Sequence, residues 1–580
     1  MTTLPTPSAP GRTRRMADFP TLADALDYAA RGEAGVNFYS GRGVLLESLS
    51  YRELRVQALD YARRLLGVGL RPGDRVAIIA ESDGDFARVF WACQYAGLIP
   101  APLPLPLAFG GRETYVTALH RMIASARATA AFAPEMLVPW LREATGGLSL
   151  RLFGTLERLR EVEPDPAPLP TLDPEGLSYL QFSSGSTRFP LGVAVTQRAV
   201  MANAGAISRH GLAIRDGDRG VSWLPLYHDM GLVGFFLTPL ACQVTVDLLP
   251  TREFARRPLV WLDLISRNRG TLAYSPSFGY ELCTRRAESA APELDLSCWR
   301  AAGIGGDMIR PKVLADFAAR FEPCGFRSEA FVASYGMAEA TLALSFGPLD
   351  RGIRTDAVVR RTLEHQGLAV SANVSDTAER SEFVRCGTML PGHQVEVRDE
   401  RDRVLPERRV GTLFVRGPSI MRGYDGHREE TRRVLATDGW LNTGDLGYVV
   451  DREIVITGRV KDLIIVNGRN IWPQDLEWAA EAGLPTLRSH DVAVFSVDGA
   501  ASEQVIALIQ CRAMHPEERE TLRAEAKALF LREHGVQVSV VLVPPHSLPK
   551  TSSGKLSRIR AKQMLLSGAF ETDAPVSSVA

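Results

Sequence analysis

The chain has 580 residues, too many for one hydrophobic core, so at least two domains are expected. Hydrophobic residues make up 45%, charged residues 23% and aromatics 8%, the usage of a water-soluble globular protein. Its 67 basic and 67 acidic side chains cancel, which argues against a protein held to nucleic acid or an anionic membrane by bulk charge.

Residues 1 to 19 hold arginines, prolines and threonines but no apolar h-region, so no secretory signal is read. The first fifteen read as a frayed end. Tyr51 to Leu66 has helical spacing of Leu54, Ala58, Tyr61 and Leu65. Apolar strands are read at Arg75 to Ala80, Ser222 to Pro225, Gln243 to Leu249 and Thr271 to Ser275. Strands alternating with helices imply parallel or mixed sheets covered by helices, an α/β class. The most apolar stretch, Gly231 to Pro250, is broken by Pro239, Gln243 and Asp247. That favours a buried element over a membrane span.

From Gly387 the texture changes to short alternating strands with Gly/Asp turns, such as Gly411 to Gly417 and Gly447 to Arg459. After Arg459 a compact α+β pattern follows. Helices are read at Pro473 to Ala482 and Pro516 to His534, strands at Asp491 to Ser496, Gln504 to Cys511 and Val536 to Val543. The expected division is an N-terminal domain over 1–458 with a β-rich part at 385–458, then a small C-terminal domain over 464–580. Gly568 to Ala580 reads as a frayed tail.

The seven cysteines are scattered and form no C-x-x-C pair, which fits free thiols in a reducing, cytoplasmic compartment. Only six of the 67 basic residues are lysine: 312, 461, 527, 550, 555 and 562. Where arginine is the default cation, a retained lysine points to a need for a compact ammonium.

The strongest local signal runs from Gln181 to Val193. An apolar strand, Leu177 to Phe182, enters a loop of Ser183, Ser184, Gly185, Ser186, Thr187 and Arg188, followed by Pro190 and a strand-like Gly192 to Thr196. Small residues let backbone N–H groups approach an anion, and the hydroxyls add donors, so the loop suits phosphate. It is not a Walker A loop, because the Gly554-Lys555 pair lacks glycine at 549. Gly303-Ile-Gly-Gly-Asp307 misses the dinucleotide fingerprint, since residue 308 is methionine.

At this loop the chain resembles the adenylate-forming superfamily of acyl-CoA synthetases, luciferases and nonribosomal adenylation domains. Further motifs follow in the superfamily's order. Trp223 to Leu232 resembles the acyl-pocket border, with His228, Asp229, Met230 and Gly231. Gly305, Gly306 and Asp307 resemble the adenine-pocket strand end. Ser334, Tyr335, Gly336, Met337 and Glu339 resemble the adenine and metal motif, with Tyr335 as a stacking ring on an exposed turn. Thr443-Gly-Asp445 resembles the ribose motif, Gly458 to Asp462 the hinge around Lys461, and Pro549 to Lys555 the catalytic-lysine loop.

Each role has a physical rationale. Asp445 in its turn suits two ribose hydroxyls, with Arg459 as a nearby cation. Glu339 is a hard oxygen ligand for Mg²⁺ on the ATP phosphates, with Thr187 beside it. The resemblance implies a large N-terminal domain with a distorted β-barrel, a hinge at 459–463 and a mobile C-terminal lid carrying Lys555.

Departures within the motifs narrow the resemblance. Arg188 stands where the general pattern has glycine and Leu191 where it has lysine, a form similar to the fatty acyl-AMP ligases. A polar segment, roughly Leu349 to Ser381, resembles the insertion that this branch associates with loss of transfer to coenzyme A. Docked on the N-terminal domain, such a segment would restrain the lid. The implied activity uses ATP and Mg²⁺ to convert a medium or long fatty acid to acyl-AMP. The acyl group then passes to a holo-acyl carrier protein or a polyketide or nonribosomal carrier domain. Acyl-CoA synthesis and a non-catalytic binding relative stay open as alternatives.

Overall fold

The computed structural model describes residues 13–106, 111–182, 190–287, 293–373, 380–466, 468–498, 503–513, 515–551 and 555–570. They group by compactness into two units. The first comprises Met1–Arg354, Cys386–Val395 and Val415–Leu441; the second comprises Thr355–Arg385, Glu396–Phe414 and Asn442–Ala580.

The first unit is built on a largely parallel sheet. Strands Gly35–Tyr39, Thr245–Leu248, Arg219–Ser222, Leu272–Ser275, Ala301–Ile304 and Phe331–Gly336 lie side by side in parallel. Leu45–Ser50 closes one side and Ala343–Phe346 the other, both antiparallel. A second parallel sheet orders Ile99–Leu103, Arg75–Ile79, Ala128–Phe132 and Leu152–Gly154. The helix read from its apolar spacing runs Tyr51–Gly67, started by a reciprocal Ser50–Glu53 capping box. Behind the main sheet, Trp261, Trp299, Tyr280 and Phe317 pack edge to face at centroid distances of 5.0–5.8 Å.

Asp247 explains how the apolar stretch tolerates a charge. It is fully buried but accepts from Arg219 Nε and Nη2 at 2.7 Å, Asn37 Nδ2 at 2.7 Å and Asn268 Nδ2 at 2.9 Å. The expected strand at Ser222 to Pro225 lies earlier, at Arg219–Ser222, where each residue pairs with Thr245–Leu248. Of the frayed start, residues 1–12 lie outside the described residues, whereas residues 13–15 are held in place. Arg14 Nη1 donates to Cys242 O at 2.8 Å, and Thr13 O accepts from Tyr28 Oη at 2.6 Å.

In the second unit, Val492–Asp498, Glu503–Gln510 and Val538–Val543 form one sheet with a core on each face. Val492 and Val494 point to the core with Leu476 and Phe530, whereas Ala493 and Phe495 point to the core with Leu565 and Phe570. Phe570 is therefore part of a core rather than of a frayed tail. The helix Pro516–His534 has the bounds its sequence implies.

The β-rich strands do not form the expected barrel among the described residues. They lie in an open order, Gln394–Arg398, Gly411–Arg416, Leu441–Val450, Glu453–Arg459, Arg380–Met389. Thr355–Val359 is paired antiparallel to Arg380–Val384, and helix Arg360–Gln366 follows it. This polar segment groups with the C-terminal residues. Glu364 accepts from Arg469 Nε at 2.8 Å, and Arg360 Nη1 donates to Glu533 O at 3.0 Å. Asp356 is buried against Tyr448 Oη at 2.7 Å and the guanidinium groups of Arg385 and Arg408.

No described helix is long and apolar enough to cross a membrane. All seven cysteines are free. Burial pushes the thiols of Cys93 and Cys283 up, and that of Cys242 to about 11.

Candidate active site

The phosphate-loop residues Ser183, Ser184, Gly185, Ser186, Thr187 and Arg188 lie outside the described residues. Their flanking strands do not. Leu177–Phe182 is antiparallel to Gly192–Thr196, with Phe182 opposite Gly192. Leu191, in the place of a lysine, is buried.

Gln181 Nε2 donates to Tyr227 O at 2.6 Å, fixing the His228 segment to this pair of strands. The His228 ring Nδ1 is 2.6 Å from Asp229 Oδ1, which also accepts from Met230 N at 2.8 Å. Asp229 is thus buried, with one oxygen shared between the His228 ring and the next backbone N–H. Gly231 is required by contact: a Cβ there would stand 2.2 Å from Pro225 O.

Met230 reaches the adenine motif, its Cε lying 3.0 Å from where a Gly306 Cβ would be. Gly306 has φ +82, a left-handed conformation that glycine adopts freely. At Gly305 a Cβ would meet Ser334 O at 2.8 Å, and Ser334 Oγ donates to Ile304 O at 3.3 Å. The structure therefore brings residues 228–231, 303–306 and 334–336 together.

One expectation needs correction. Tyr335 is not on an exposed turn: it lies buried in strand Phe331–Gly336, opposite Ser345. The Ser-Tyr-Gly string reads as a turn, but pairing with Ala343–Phe346 makes it the end of a strand. Asp307 serves locally as a helix cap, accepting from Ser277 N at 3.1 Å and Ser277 Oγ at 3.2 Å at the start of Ser277–Ala287. Met337 is extended and donates from N to Leu342 O at 2.8 Å, opening the short turn Ala338–Ala340.

Glu339 is half-buried in that turn. Its Oε1 accepts from Tyr424 Oη at 2.9 Å, and its carbonyl accepts from Met421 N at 2.8 Å. Tyr424 pairs with Val193, so a hydrogen-bonded path runs from the Glu339 carboxylate to the strand leaving the phosphate loop. Burial, and then the Glu339 charge, push the Tyr424 phenol up, which keeps its proton in place as a donor. Sequence reading missed Tyr424, because nothing near it marks a partner 85 residues away. Thr341 closes the motif at φ +70, unusual for a β-branched residue, with Oγ1 donating to Ser419 O at 2.7 Å.

In the second unit Asp445 is opposite Arg459 in an antiparallel pair, with Oδ1 3.1 Å from Arg459 Nε. Gly444 at φ +71 makes the preceding turn, and Thr443 Oγ1 accepts from Asp445 N at 3.1 Å while donating to Leu413 O at 2.8 Å. Arg459 O then accepts from Asp462 N and Leu463 N at 3.1 Å, forming a turn that leaves Lys461 exposed.

Lys555 is half-buried at the end of a closed loop. Its carbonyl accepts from Thr551 N at 2.7 Å, its own N donates to Thr551 Oγ1 at 3.2 Å, and Ser557 N donates to Pro549 O at 2.9 Å. Residues 552–554 of this motif lie outside the described residues. Arg558, the first residue of helix Arg558–Leu566, went unnoticed in the sequence. It binds Glu477 through Nε at 2.8 Å and Nη2 at 2.6 Å, and Asp462 through Nη1 at 2.7 Å. No group of three His, Cys, Asp or Glu residues that could hold a metal occurs among the described residues.

The family model described as AMP-binding enzyme matches residues 33–425. A Caulobacter vibrioides protein provisionally named an acyl-CoA synthetase is 54% identical over 566 residues, covering 97% of this chain and 98% of that protein. A Moorena producens protein, medium-chain-fatty-acid–acyl-carrier-protein ligase JamA, is 31% identical over 96% of each. A solved chain from structural work on fatty acyl-adenylate ligases of E. coli and L. pneumophila is 46% identical with a TM-score of 0.92, over 96% of this chain and 100% of that one.

Proposed function

Because the chain belongs to the AMP-binding enzyme family and is an adenylate-forming ligase, we propose that it activates a fatty acid with ATP and passes the acyl group to the phosphopantetheine thiol of an acyl carrier protein. A carboxylate oxygen attacks the α-phosphorus of ATP, the bond to the bridging oxygen breaks, and pyrophosphate leaves. The thiol sulfur then attacks the acyl carbon and AMP departs.

In the first step Lys555 bridges the carboxylate and α-phosphate oxygens as a point charge. Ser183 to Arg188 hold the departing phosphates, and Gly305 to Asp307 with Tyr335 border the adenine. Asp445 accepts from the ribose hydroxyls. Glu339 and Thr187 would hold Mg²⁺, which would supply neutralisation of phosphate charge. For the second step the lid over 464–580 turns about Lys461 and withdraws Lys555. The site works in the cytoplasm, where the free thiols stay reduced.

The single observation that carries this reading is the Glu339–Tyr424–Val193 path, a hard carboxylate tied to the strand that leaves the phosphate loop. A carrier-protein acceptor is favoured by the name of the Moorena relative, and by Leu191, which stands where the superfamily's general phosphate loop has lysine and is buried here. The name of the Caulobacter relative favours a second reading, acyl-CoA synthesis.

Incubation with ATP, dodecanoate or hexadecanoate, and either coenzyme A or a holo-carrier protein separates the two. Acyl-AMP and acyl-carrier product are expected, with little acyl-CoA at saturating coenzyme A. Shortening residues 349–381 should raise acyl-CoA output without raising adenylation. Brisk acyl-CoA synthesis by the unmodified chain overturns the carrier-protein reading.

A further inference from the structure

We propose that Arg558 is the positioning residue for Lys555, a strut that fixes the lysine loop to the residue beside the pivot. The inference rests on the role given to Lys555 above.

Arg558 sits where a cation is unwelcome. It opens the helix Arg558–Leu566, and the exposed N–H groups of a helix start carry partial positive charge. Its place therefore has to be held by something stronger. Both Glu477 oxygens take one side of the guanidinium fork, and Asp462 takes the other. Such planar, multidentate pairing fixes orientation as well as distance, which an ammonium could not do. The Glu477 side chain is 4% exposed, and its Oε1 also accepts from Val494 N at 3.0 Å. One end of the strut is thus anchored on the strand Val492–Asp498, at one edge of its three-stranded sheet.

The other end is the pivot. Asp462 follows Lys461 directly, and its N–H belongs to the turn closed on Arg459 O. From Arg558 back to Lys555 the chain has little freedom, because Ser557 N is bonded to Pro549 O and Lys555 O to Thr551 N. An unbroken series of short contacts therefore joins the pivot turn to the lysine. When the lid turns, the loop travels with the turn and the ammonium keeps its bearing relative to the axis. Burial by itself would lower the Arg558 pKa, but the two carboxylates more than reverse that, so the strut stays charged at every working pH.

The test uses the full chain, ATP and dodecanoate, and reads single-turnover formation of acyl-AMP as a rate constant and an amplitude. R558K keeps the charge but loses the fork; D462N keeps the Arg558–Glu477 anchor and loses the link to the pivot. A misplacement of about 1 Å costs on the order of 100-fold in rate. Both variants should therefore lower the rate constant by about 10- to 100-fold, with an unchanged amplitude and a KM for ATP within about threefold of normal. D462E should recover part of the loss. A purely structural role predicts the opposite, a reduced amplitude with a normal rate constant, and that result overturns the inference. Normal rate constants in R558K and D462N also overturn it, provided that K555A in the same assay is inactive. If K555A itself turns over normally, the functional reading falls instead.

Discussion

The two units hold their motif residues by different physics. In the first, placement is steric: Gly231, Gly303 and Gly305 sit where a single added carbon would collide with backbone or a ring. In the second, placement is ionic: Asp445 faces Arg459, Arg558 joins Glu477 and Asp462, and Asp356 gathers Arg385 and Arg408. Close contact responds weakly to pH and salt, whereas half-buried charge responds to both.

The largest way to break this contrast is chemical. Lys555→Ala removes the charge that the ionic side delivers, so the rate of pyrophosphate release should fall about 10²–10³-fold while circular dichroism is unchanged. Next is a steric break. A Cβ on Gly303 would stand 1.9–2.0 Å from ring atoms of Tyr274, a fully packed side chain. Gly303→Ala should cost on the order of 1–3 kcal/mol in denaturant unfolding, by the same amount at low and high salt.

The smallest test sharpens the ionic side. Burial pushes the Asp475 carboxyl up from 3.8 to about 7, with Glu364 and Glu477 acting in the same direction and Arg360 against them. A raised carboxyl binds its proton more tightly folded than unfolded, so its contribution to stability is present at low pH and is lost as pH rises from about 3.8 to about 7. Asp475→Asn removes that loss. The variant should unfold at higher temperature than the unmodified chain at pH 7.5, and the gap should narrow at pH 5 and close only below about pH 4.

Much of this architecture was legible in the sequence because periodicity and turn chemistry are local. The strand Leu177–Phe182 and the helix Pro516–His534 announce themselves by apolar run and spacing. The motif strings likewise locate Asp445, Glu339 and Lys555, since each is flanked by residues that define its turn. Partnership is what the sequence hides. Arg558 finds its carboxylates 81 and 96 residues away, and Asp307 takes its hydrogen bonds from Ser277, 30 residues back. Tyr335 was misjudged for the same reason, because its burial comes from a partner strand. The expected barrel came from the resemblance; the alternation of the β-rich stretch states only that each strand has two faces, not whether the sheet closes.

The buried thiols make the molecule its own clock. Cys93, Cys242 and Cys283 lie in the first unit and Cys511 in the second, all shielded from solvent. Thiol reagents attack the accessible thiolate, which burial withholds. Labelling therefore waits for local opening, and the mass gained at each cysteine over time reads how often its surroundings come apart. A single alkylation time course would rank the openings of both units, with no label attached in advance.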